Sequence, residues 1–304
     1  MIVRRFKIKS HGNEYNVYSE NFTSSNEVVV VSRSKPDVDG WRKRRDYCAE
    51  TWTGQDLDGS WTGFYSQEEF DHLMKLGVDD TSMVKDVARY TAKAEVQDKE
   101  KLTKRVLDVV GGGVDVPVFL TGNPQCMYNM RRQKVKSRIV NIGLECGLTC
   151  DYSVEQYKRA GMCLTKVIAK LEKAGYRVSL TTMAAFYDYN GNISVMTNTV
   201  KRENMPMNYA RIMFPLTSIA YFRGLGFGWV VRTPEYTGGS SLGPHISRPF
   251  GDEAVEKVDE MFKRSLGNAN FTGFMMKTLV NLYESRGAEG LEKYIESKIM
   301  ETVR

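Results

Sequence analysis

Two carboxylates and a hydroxyl fall within seven residues in ECGLTCD, Glu145 to Asp151. Glu145, Thr149 and Asp151 all offer oxygen, the ligand that hard divalent cations take, although such ions want about six donors. Asp188, at the end of the next apolar run, adds a third carboxylate. Cys146 and Cys150 lie in the same stretch, but zinc needs about two more ligands. The three histidines, His11, His72 and His245, fall at no ligand-like spacing, so zinc is excluded there.

The other stretch with chemical potential is YTGGSSLGPH, Tyr236 to His245. Backbone amides of a glycine-rich loop can cradle an anion, and Ser240, Ser241 and His245 bring hydroxyls and an imidazole. No partner acid stands nearby and no nucleophile-elbow pattern surrounds the serines, so a surface loop is the expectation. Neither a dinucleotide fingerprint nor a phosphate-binding P-loop pattern occurs.

Two basic runs point to phosphate instead. WRKRRDY carries Arg42, Lys43, Arg44 and Arg45 between two aromatics, and RRQKVKSR carries Arg131, Arg132, Lys134, Lys136 and Arg138. In the second run the last three cations alternate with Val135, Ser137 and Ile139, which puts them on one face of an extended segment. A nucleic-acid backbone takes such a stripe, and aromatics beside it can stack on unpaired bases.

These residues must be positioned by a core, and 304 residues can bury a full one. Apolar residues make 41% of the chain, charged residues 26%, and the net charge is +6. This is a soluble globular composition with a mild basic bias. The five cysteines are odd in number, scattered and apolar-flanked, which fits reduced cytoplasmic thiols rather than disulfides. No run suits a membrane span, and the first residues lack a signal-peptide pattern.

Along the chain, Val28–Val31 reads as a strand. Ser66 with Glu69 is a capping box opening a helix that stops at Gly77. Residues 89–110 read as a surface helix ended by the linker candidate Gly111–Gly113. Residues 138–145 read as a strand. Ser153 with Gln156 then caps a helix to about Lys173, and Gly175 stops it. Residues 176–187 are the next strand, and Asn190-Gly191 marks a tight hairpin into a strand over 193–200. A buried helix is expected over 209–222, and GFGWVVRT (226–233) as a strand. The chain closes with helices over 252–266, from 271 to 283, and through Leu291, Ile295 and Ile299. The order strand, long helix, strand implies a parallel crossover. The fold class is therefore α/β, with a mixed N-terminal region (1–110) before an α/β domain with closing helices (111–304).

In such sheets ligands sit beyond the carboxyl ends of strands, where ECGLTCD lies. Position and periodicity resemble a von Willebrand factor A-like or Rossmann-like three-layer domain. In the former, D-x-S-x-S after the first strand binds a divalent cation. The matching positions here are Glu145, Gly147 and Thr149. Glycine lacks a side-chain oxygen and Asp188 only loosely replaces the family's later aspartate, so the resemblance implies a degenerate metal site. Four segments within residues 60–228 also resemble an uncharacterised family of tailed-phage proteins. They are SWTGFYSQEEFDHLMKLG, VDVPVFLTGNPQCM, the stretch from Arg138 to Leu180, and MPMNYARIMFPLTSIAYFRGLGFG. That resemblance implies a phage or prophage protein in a bacterial cytoplasm and carries no activity.

Three functions follow. The leading expectation is a non-enzymatic interaction module, a phage accessory or assembly protein with a protein partner or a second copy, using the loops around 145–151 and 236–245. The second is nucleic-acid binding through 42–45 and 131–138. The third is a phosphate-handling enzyme dependent on Mg or Ca, using Glu145, Asp151 and Asp188. No cofactor is expected under the first two, and no membrane partner under any.

Overall fold

The computed structural model describes residues 1–33, 63–93, 103–132, 139–148, 151–188, 190–230, 232–233, 246–267 and 271–303. Strands β1 (Ile2–Ser10) and β2 (Asn13–Phe22) form a hairpin. Its two-residue turn, His11-Gly12, has both φ angles positive, at 48° and 79°, the geometry that matches strand twist. Strands β6 (Ile139–Glu145), β7 (Arg177–Tyr187), β8 (Asn192–Lys201) and β9 (Phe271–Met275) complete a sheet of order β1-β2-β8-β7-β6-β9. It is mixed: β2–β8, β6–β7 and β6–β9 pair parallel, while β1–β2 and β7–β8 pair antiparallel.

Helices cover both faces, which is why the central strands read as nearly continuous apolar runs. On one face Ile142, Leu144, Leu180, Phe186 and Met196 join the main core with helix α5 (Val154–Lys173) and helix α6 (Tyr209–Thr217). The π-helical turn Tyr221–Gly226, helix α7 (Phe227–Val230) and helix α10 (Met276–Val303) pack there too. On the other face Val17, Met183, Val195 and Phe271 meet Phe250 of the short helix α8 (Ser247–Phe250) and Val258, Met261 and Phe262 of helix α9 (Ala254–Leu266). Among the described residues, no helix is long and apolar enough to cross a membrane.

Several expected elements change type. Val28–Val31 belongs to helix α1 (Ser25–Arg33), not a strand. Val28 and Ser32 are buried while Val30 is 71% exposed, a helical spacing. The Glu27 carboxylate closes the first turn on Thr23 N and Oγ1, at 3.2 and 2.7 Å. Asn198 Nδ2 donates to Ser25 Oγ at 2.8 Å and to the Tyr221 hydroxyl at 2.6 Å. These tertiary anchors override the β preference of valine. The helix expected over 89–110 covers only the end of α3 (Thr81–Lys93); Thr103–Asp108 is strand β3. It pairs with β5 (Met127–Arg132), which also takes β4 (Gly113–Val114), in a separate three-stranded sheet. Of the glycines expected to form a linker, Gly111 approaches β5 closely. A Cβ on Gly111 would sit 2.6 Å from Tyr128 O, and Gly112 N donates to the same oxygen at 3.0 Å.

GFGWVVRT is not a strand, because Phe227–Val230 continues the π-helical turn as α7. The Trp229 indole there donates to the buried Glu20 carboxylate at 2.7 Å. Phe271–Met275 is not helical but forms edge strand β9, and α10 starts at Met276. The outer edge of β9 is closed at Gly273. Its N–H donates to Asp259 Oδ1 and its carbonyl accepts from Lys298 Nζ, both at 2.6 Å. Such charged covers prevent unwanted strand addition. The expected division at 110/111 coincides with no break in either sheet, since strands from both sides of it join each one.

Other expectations hold. Ser66 caps helix α2 (Gln67–Leu76) by accepting from Glu69 N at 3.1 Å, but the expected box is not closed, because the Glu69 carboxylate accepts from Tyr65 N at 2.7 Å instead. Ser153 and Gln156 make the full capping box of α5. Gly191 shapes the β7–β8 turn with φ +84°, and Gly267 ends α9 in the left-handed region.

Candidate functional site

Glu145 ends β6 inside the protein. It is fully buried, and its Oε1 accepts from Gly147 N at 2.8 Å. The carboxylate thus turns the chain out of the strand. Cys146 N continues the ladder to Met183 O at 2.8 Å. Its thiol is fully buried, and burial pushes its pKa far up, with the neighbouring Glu145 adding to the effect. A thiol in that state is inert. Asp151 lies exposed at the surface before α5. Thr149 falls outside the described residues.

Asp188 belongs to a different structure. Its carboxylate accepts from Asn190 N at 2.9 Å, Asn192 N at 3.0 Å and Asn192 Nδ2 at 2.9 Å. It holds the β7–β8 hairpin as an Asx turn does. Register separates it from Glu145: the partner of Glu145 on β7 is Met183. Asp188 is five residues farther on, about 16 Å along the strand. Among the described residues no three metal-ligating side chains come together. Ser240, Ser241 and His245, with Arg42, Lys43, Arg44, Arg45, Lys134, Lys136 and Arg138, lie outside the described residues. Arg131 and Arg132 are on β5, where the register sets Arg131 opposite Lys104.

The feature that sequence reading missed is an arm built from β3, β5, β4 and the short helix α4 (Val116–Leu120). Asp115 caps that helix, accepting from Val118 N at 3.4 Å, with Pro117 in its first turn. No residue from 107 to 129 is buried. Leu107, Val109, Val114, Val116 and Phe119 are exposed, and Val110 and Leu120 are 76% and 78% exposed. A soluble surface seldom carries so many large apolar groups in one segment. In the sequence these residues look like any other core-forming run, so no local signal distinguishes them.

A second surface lies where β1 meets the end of α9. Arg4, Arg5, Phe6, Lys263, Arg264 and Gly267 line a cleft of about 420 Å³. Arg4 Nη1 donates to Arg264 O at 3.3 Å, and the Arg264 guanidinium stacks 4.6 Å from the Phe6 ring. The alternation in IVRRFKIKS was the available signal, because it puts cations on both faces of β1.

Neither a curated protein nor a solved structure matches this chain. Residues 7–283, nearly the whole chain, match the model of a domain of unknown function, DUF7192, and the chain belongs to that family.

Proposed function

We propose that the protein is a non-enzymatic interaction module whose arm is covered by a second copy of the chain. The observation that carries this reading is the exposed apolar surface of the arm over residues 107–120. A small sheet that buries none of its residues between 107 and 129 has little to stabilise it alone. Apolar surface of that kind gains about 25 cal/mol per Å² when covered. Strand β3 is an edge of its sheet, so two arms related by a twofold axis can join edge to edge, the commonest oligomer symmetry. The resemblance to tailed-phage proteins extends the reading to a phage or prophage accessory or assembly protein in a bacterial cytoplasm.

Light scattering after size exclusion tests it. Wild-type protein is expected to elute as a dimer of the 34.6 kDa chain. Phe119→Asp combined with Leu120→Asp should give monomers. Unfolding of the body should change by no more than about 0.5 kcal/mol, as for surface substitutions. A wild-type monomer at tens of micromolar would sink the proposal.

The von Willebrand A-like or Rossmann-like descent belongs to the same reading, supported by the parallel β6–α5–β7 crossover with a polar loop after β6. The cation which that family implies does not fit the described residues. Glu145 is engaged with Gly147 N, and Asp188 is bound into its hairpin.

The basic cleft supports a second reading, nucleic-acid binding. Arg4, Lys263 and Arg264 are exposed beside the β1 edge, and β5 brings Arg131 opposite Lys104. Fluorescence anisotropy with labelled single- and double-stranded DNA and RNA should show binding that persists near 150 mM salt and falls steeply above it. Arg4→Glu with Lys263→Glu should weaken it and flatten the salt slope by about one unit per lost phosphate contact. No binding at low salt eliminates this reading.

A further inference from the structure

Ser194, on β8, is 1% exposed, and its hydroxyl has no hydrogen-bond partner. An unpaired buried hydroxyl is unfavourable, so something other than the bare fold accounts for a serine there. Its cross-strand neighbours are Tyr18 on β2 and Phe186 on β7. Toward the β1 edge the register pairs Tyr18 with Arg5, Asn16 with Lys7, and Asn16 with Asn192. Directly paired residues share a face of a sheet. Arg5, Lys7, Asn16, Tyr18, Asn192 and Ser194 accordingly line one cavity of about 440 Å³, a size typical of small-molecule sites.

Its wall is largely apolar, with Phe6, Val17 and Ile193 in the lining, and several of its polar side chains are donors. The Arg5 guanidinium lies 5.1 Å from the Tyr18 ring centroid, a stacking that orients its fork. Lys7 Nζ bonds Glu14 at 2.6 Å, and an ammonium has three donors. Asn16 Nδ2 donates to Asn192 Oδ1 at 3.3 Å. The carboxylates on the three strands that line the cavity are already engaged: Glu14 by Lys7, and Glu20 by the Tyr18 hydroxyl and the Trp229 indole. A hydroxyl without a partner, lining the same cavity as Arg5 and Lys7, matches an oxyanion, whose oxygens only accept.

We propose that this cavity binds a small molecule bearing a phosphate or carboxylate group, anchored by Ser194 Oγ and Arg5. The cavity is separate from the arm; it shares Arg5 and Phe6 with the Arg4–Lys263 cleft, and Ser194 belongs to it alone.

Thermal unfolding in sodium phosphate and, separately, sodium succinate, each against chloride at equal ionic strength, tests it. One of the two anions should raise the Tm of the wild-type protein saturably, and which one does so identifies the group. In chloride, Ser194→Ala should unfold at the same temperature or higher, since it removes an unpaired hydroxyl. Its apparent affinity for the anion should fall by about tenfold or more, the size expected for one charge-assisted hydrogen bond. Arg5→Gln should weaken the anion comparably, measured against its own Tm in chloride. The proposal is overturned by no saturable shift with either anion, by an unchanged affinity in Ser194→Ala, or by a lower Tm of that variant in chloride.

Discussion

Replacing Glu172 with alanine is expected to cost about 3–5 kcal/mol of folding stability in urea unfolding, because it strands a buried cation. Lys201, the last residue of β8, is only 2% exposed. Its ammonium donates to Glu172 Oε1 at 2.7 Å and to Val178 O at 2.8 Å. The same Oε1 accepts from Val178 N at 2.7 Å. One carboxylate in the last turn of α5 thus ties that helix to the start of β7 and the end of β8. Without it the ammonium keeps backbone carbonyls but, among the described residues, no ion-pair partner. Glu172→Leu combined with Lys201→Met should recover most of the loss, since apolar replacement of a whole buried pair is often neutral. A single Glu172→Ala variant within about 1 kcal/mol of wild type would mean that water reaches Lys201.

Gly161→Ala is expected to destabilise by at least the roughly 1–3 kcal/mol of ordinary overpacking, although helix propensity alone favours alanine by about 1 kcal/mol. Gly161 lies mid-helix in α5, where α6 crosses it. A Cβ there would sit 1.6 Å from Leu216 O and 2.5 Å from Leu216 C. Backbone cannot rotate aside as a flexible side chain can. The crossing also carries the hydrogen bond from the Tyr157 hydroxyl to Pro215 O at 3.0 Å, which the substitution would stretch. Circular dichroism melting of the variant decides the sign. A Tm equal to or above wild type would contradict so close an approach of the two helices.

Local chemistry made some of this fold legible. A cap needs only a hydroxyl and a partner three residues on, so Ser66 with Glu69 and Ser153 with Gln156 marked α2 and α5. Gly191 and Gly267 were readable because the turns they occupy require positive φ. Elements set by distant partners were not. Thr103–Asp108 forms a ladder with residues 127–132, and Phe271–Met275 with β6; nothing within either segment specifies its partner. A five-residue apolar run suits a strand as well as a helix. The valines of α1 answer to Asn198 and Tyr221, far away in sequence.

The candidate sites divide the same way. The sequence by itself determined that Glu145 would follow a parallel strand and precede a capped helix, because strand period, capping pair and crossover length are local properties. Tertiary structure alone decided that Asp188 lies about 16 Å farther along the neighbouring strand, since strand register depends on both chains of a pair. It alone decided that the apolar residues of 107–120 face solvent and that Ser194 is buried. Burial belongs to the packed whole: the same valine or serine is core or surface according to what lies over it.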